Sequence, residues 1–60
     1  MLTVRVARTG NLQVLYRSRV IAVISVGGKV LFSDLGGVSR YSVEYAVADY
    51  LDYGKRLEWR

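Results

Sequence analysis

The sequence predicts a small α+β domain: an antiparallel sheet or SH3-like partial barrel of four to five strands, followed by one C-terminal helix. Three observations carry this. Residues 2–33 alternate apolar and polar positions with period two or run apolar through β-branched residues. Glycine-bearing turns punctuate those runs, and a helical period takes over after residue 42. The chain has 60 residues and no proline, so residues 1–60 form a single small domain without a linker or internal repeat.

Leu2 to Ala7 alternates as a half-buried strand does, and Leu12 to Tyr16 resumes the pattern after a turn at Thr9-Gly10-Asn11. A three-residue loop there pairs Arg8 with Leu12, Val6 with Val14 and Val4 with Tyr16, with Gly10 in a left-handed bulge position. That register puts Leu2, Val4, Val6, Leu12, Val14 and Tyr16 on one face. Thr3, Arg5, Ala7, Gln13, Leu15 and Arg17 take the other. Arg17-Ser18-Arg19 is a short corner. Val20 to Val26 is apolar on both faces, as a central strand covered from two sides is. Gly27-Gly28 reads as a two-residue primed turn into Lys29–Ser33, and Leu35-Gly36-Gly37 as a turn before an edge strand Val38–Tyr41. Ser42 has the chemistry of a helix N-cap, with Glu44 in the first turn. Val43, Ala46, Val47, Tyr50 and Leu51 form the apolar stripe of a helix of about eleven residues that stops at Gly54. Leu57 and Trp59 make an apolar tail that folds back on the body.

Composition excludes several functional classes. With neither Cys nor His, the chain lacks the usual nucleophile–base pairs and the commonest metal ligands, so the expectation is a non-enzyme without cofactor or metal. The longest apolar stretch, Val20–Val26, is far short of the roughly 20 residues of a membrane span. No secretory signal is evident, which makes the cytoplasm, or the host cytoplasm for a viral gene, the expected location. The 52% apolar content argues against a disordered tail.

Charge is unevenly placed. The net charge is +4, and residues 1–40 carry Arg5, Arg8, Arg17, Arg19, Lys29 and Arg40 against Asp34 alone. Residues 41–60 hold Lys55, Arg56 and Arg60 against Glu44, Asp49, Asp52 and Glu58. A basic, arginine-rich first part suits a polyanion or an acidic protein surface. The glycine pairs have neither the spacing of a Walker loop nor that of a dinucleotide loop, and read as hairpin turns. Asp49 and Asp52 lie three apart on the expected helix without a third ligand nearby, as on a solvated face. Of the five tyrosines, Tyr16 and Tyr50 fit the core, whereas Tyr41, Tyr45 and Tyr53 are candidates for the surface.

The run Ser18 to Val30, within residues 2–37, resembles the central hairpin of the seven-kilodalton Sulfolobus chromatin proteins, which are small, basic and SH3-like. The resemblance implies a sheet laid on the DNA minor groove, with wedging side chains at Ile24 and Val26, Val30 across the turn and Arg40 on the next strand. Ile24 stands where that family carries tryptophan. Met1-Leu2, Arg8, Gly10 and the Val20–Val30 hairpin also resemble the carbon-storage-regulator RNA binders, although no Ala-Pro pair follows the hairpin here. Both resemblances bear on a β-then-α architecture.

The resulting expectation is a small basic nucleic-acid-binding protein, with DNA favoured over RNA. Its candidate contact residues are Arg5 and Arg17, which the register puts on the outer face of the first hairpin, with Arg19, Lys29 and Arg40, and Ile24 and Val26 as the resemblance implies. The alternative is a phage or mobile-element protein that binds and modulates a host protein through its basic face or its tyrosines. A central strand apolar on both faces, with one helix to cover the sheet, calls for either a curled barrel or a second copy on the other face, and favours a homodimer.

Overall fold

The computed structural model describes residues 1–51 and 56–59. Four strands, β1 (Leu2–Val6), β2 (Leu12–Tyr16), β3 (Arg19–Ile24) and β4 (Val30–Ser33), form an antiparallel meander in the order β1-β2-β3-β4. One helix follows, α1 (Arg40–Val47), lying over β1 and β2. Among the described residues the domain is therefore α+β with four strands.

The first hairpin keeps the expected faces in a different register. Val4 pairs with Val14 and Val6 with Leu12, because the loop is Arg8-Thr9-Gly10 and is closed by Ala7 and Asn11. A shift of two residues leaves each side chain on its face, since the pleat repeats every two residues. Gly10, at φ 88°, donates to the Ala7 carbonyl at 2.9 Å. The β3–β4 hairpin repeats this construction. Ser25 and Lys29 close it, Gly28 sits at φ 90°, and Val26-Gly27-Gly28 forms the loop in place of a two-residue turn.

The apolar central strand has a different explanation from coverage on both sides. A bulge opposite Val14/Leu15 inserts Ile21, so Ile21 and Ala22 are both fully buried. Val20 and Val23 remain half-buried on the opposite face. Leu12, Val14, Ile21, Ala22, Ile24, Val30, Val43, Val47 and Leu57 form the core, on the side of the sheet that α1 covers.

Residues 38–41 are not an edge strand. Ser39, extended at φ −77° and ψ 152°, is the N-cap, and its Oγ accepts the Ser42 amide at 3.1 Å. The helix begins three residues before the expected start because Ser39 places Val38 at N′ and Val43 at N4, the positions of a hydrophobic staple. Glu44 then lies beyond the first turn and accepts from Trp59 Nε1 at 3.2 Å. The helix ends at Val47, with Tyr50 and Leu51 in the turns that follow. The expected stop at Gly54 lies outside the described residues. Leu57 and Trp59 fold back as expected: Glu58 bridges Lys29 in parallel and exchanges two backbone hydrogen bonds with Gly28 and Val30.

Candidate nucleic-acid interface

The meander gives the sheet two ends and two faces. One face is closed by α1 and the Leu57–Trp59 segment. The other carries a straight cross-strand row, Arg5–Gln13–Val23–Phe32, with one residue from each strand. Directly paired residues project to the same side, so these four share the open face. Thr3, Leu15 and Val20 flank them. Phe32 is 47% exposed. No strand of the sheet contains a carboxylate.

Arg5 is held on this face. Its Nε donates to Gln13 Oε1 at 2.8 Å, which leaves the Nη edge of the guanidinium free for a bidentate acceptor. Arg8 sits in the first hairpin loop and Lys29 closes the β3–β4 loop at the same end of the sheet, and both are exposed. Arg17 occupies the β2–β3 turn at the opposite end. It does not share the strand face with Arg5 as the alternation implied, because the turn takes it at φ 52° and sets its Cζ 5.3 Å from the Tyr16 ring centroid.

The remaining candidates do not join this face. Arg19 pairs with Asp34, Nη1 to Oδ2 at 3.3 Å, and both side chains are more than half exposed. Arg40 opens α1 on the far side of the sheet and stacks over Trp59 at 5.0 Å. Ile24 has no exposed surface and belongs to the core, so it cannot wedge into a base step. Val30 is likewise buried. Val26, 75% exposed, sits at the tip of the β3–β4 hairpin.

Phe32, Gln13 and Val23 were not among the sequence candidates. Gln13 was already assigned to the outer face by alternation. Phe32 follows Leu31, an extra residue opposite Val23/Ile24, and that bulge turns it outward. Its direction is set by a register irregularity that alternation does not show.

A second feature lies at the Arg17 end. A groove of about 890 Å³ runs between the β2–β3 hairpin and α1, lined by Leu2, Tyr16, Arg19, Val38, Tyr41 and Tyr45 among others. Tyr41 and Tyr45 are both largely exposed, in keeping with their expected surface position. Asp49 is exposed beyond the helix end, and its expected neighbour Asp52 lies outside the described residues. Among the described residues no helix is long and apolar enough to cross a membrane.

Fold and site together define a small α+β domain whose helix closes one face of a four-stranded sheet and leaves an arginine- and phenylalanine-bearing face open. Compared with known proteins, the chain matches no family model, and neither curated proteins nor solved structures give a match.

Proposed function

We propose that this protein binds nucleic acid through the open sheet face. One observation carries the reading: a sheet without carboxylates, on which Gln13 orients Arg5, with Arg8, Lys29 and Arg17 at its two ends. Among the described residues none of these four cations has a carboxylate partner, so their charge is available to phosphates. The protein acts by binding, without catalysis. An SH3-like partial barrel, into which the two bulges would curl the sheet, belongs to this reading, with the wedge at Ile24 withdrawn.

Fluorescence anisotropy with labelled oligonucleotides, from about 50 to 200 mM salt, tests this. Affinity falls steeply with salt, and Arg5→Ala and Arg17→Ala each lower the log–log slope by about 0.7–0.9. Arg19→Ala lowers it less, because Asp34 already neutralises that guanidinium. Absence of binding to any oligonucleotide at the lowest salt ends this reading.

A second reading rests on the tyrosine-lined groove, which suits an aromatic-anchored contact with a host protein. A stoichiometric protein partner that survives nuclease treatment and is lost on Tyr41→Ala would favour it. The expected homodimer is tested by sedimentation over a range of protein concentrations.

A further inference from the structure

We infer that the ligand of the open face is a single-stranded polynucleotide, with one base stacked on Phe32 and a phosphate a few nucleotides along the same strand held by Arg5. The inference rests on the nucleic-acid reading above and adds the strandedness of the ligand and the residue that reads it. Phe32 and Arg5 end the same cross-strand row, so their backbones stand about 14 Å apart at about 4.8 Å per strand. That distance is within reach of a few nucleotides.

The pattern of chemistry along the row favours a single strand over a duplex. Charge sits at one end, on Arg5, and the centre and far end are apolar, at Val23 and Phe32. A duplex keeps the faces of its bases stacked inside and shows a protein its phosphates and groove edges. Laid on this sheet, it would bring phosphates or polar groove edges against Val23 and Phe32, desolvating them without a partner. An unpaired strand offers what the row lacks: a base with an open π-face for Phe32 and, a few nucleotides along, a phosphate for the free Nη edge of Arg5. Insertion of Ile24 into a duplex step is excluded, since that side chain is buried in the core.

Gln13 is the positioning residue. Its Oε1 takes the Arg5 Nε–H and directs the guanidinium across the face, while its amide N–H groups remain free to donate. The occupied Nε leaves Arg5 to approach a phosphate through its Nη groups alone.

The test compares an oligothymidylate of about ten nucleotides, the matching oligouridylate and a DNA duplex of equal length, in low salt by anisotropy. Single strands bind at least tenfold more tightly than the duplex. Phe32→Ala weakens single-strand binding about tenfold or more, while Phe32→Trp, which keeps a stacking surface, restores it. Far-UV circular dichroism of both variants confirms that the fold is intact. Should Phe32→Ala fail to fold, Phe32→Leu supplies the apolar, non-stacking comparison, and its loss against Phe32→Trp decides. Gln13→Ala weakens binding less than Arg5→Ala does and leaves Arg5→Ala unaffected when the two are combined. Duplex binding that equals or exceeds single-strand binding, with Phe32→Ala or Phe32→Leu unchanged, overturns the inference and leaves the broader reading standing. No binding to any of the three probes overturns both. Preference between thymidylate and uridylate identifies which single strand is the source.

Discussion

Arg17 and Ser18 both lie in the left-handed region, at φ 52° and 67°, in a turn where Asn-Gly would be unstrained. An L-residue held there costs roughly 1–2 kcal/mol, so the β2–β3 turn carries backbone strain that glycine would relieve. Ser18→Gly is expected to stabilise the domain by about 1 kcal/mol, less a few tenths for the freedom glycine gains when unfolded. For a chain this short, that raises the melting temperature by about 4–8 °C. An unchanged or lower value shows that the turn is not strained. The same residues mark a boundary of what the sequence disclosed. Alternation correctly sent Arg5 outward, but it also sent Arg17 outward. A strand period cannot describe a residue in a tight turn whose φ is positive. Nor does alternation reach Phe32, because the inserted Leu31 sits between it and the inward-facing Val30.

At the scale of elements, helix capping separates two serines that look alike in sequence. Ser39 Oγ accepts the Ser42 amide and lies 2.9 Å from Ser42 Oγ. Ser39→Ala removes the acceptor of a helix-terminal N–H and is expected to cost about 1 kcal/mol. Ser42→Ala leaves that amide bonded to Ser39 and costs at most a few tenths, as exposed side-chain substitutions generally do. Thermal melting of the two variants distinguishes them, and a larger loss for Ser42→Ala would move the cap back to residue 42. The helix itself was legible because Val43 and Val47 repeat at the spacing of one turn. Its start was not, since Val38–Tyr41 has as much β-branched and aromatic character as a short strand. The hairpins were legible for a related reason. Gly10 and Gly28 are the residues that a left-handed loop position requires, and both loops use them in the same way.

For the whole molecule, the deciding fact is how little core there is. A chain of this length buries only about 60% of its unfolded surface, and a core of this size supplies about 3–5 kcal/mol. Ile21, fully buried by the β3 bulge, contributes a large part of it. Ile21→Ala costs about 2–5 kcal/mol and is expected to leave the chain largely unfolded at room temperature by circular dichroism. Val26→Ala, at an exposed loop tip, stays within about 0.5 kcal/mol of the parent. A native-like melt for Ile21→Ala would mean that the bulge does not turn this side chain inward.

A domain so close to its stability limit should register any ligand that covers its open face. Binding to the folded state alone adds about 2.7 kcal/mol when the free ligand is a hundredfold above its Kd. Against a melting response of about 4–8 °C per kcal/mol, a saturating oligothymidylate raises the midpoint by more than about 10 °C. The shift is set by the affinity, so it shrinks as salt rises and is smaller for Arg5→Ala and Phe32→Ala at equal oligonucleotide concentration. A second copy on the same face would instead make the midpoint of the free protein rise with its own concentration, and oligonucleotide would then compete with association. If the midpoint responds to neither oligonucleotide nor protein concentration, the open face is left uncovered in solution. In that event the Arg5–Phe32 row has no ligand among those its chemistry selects.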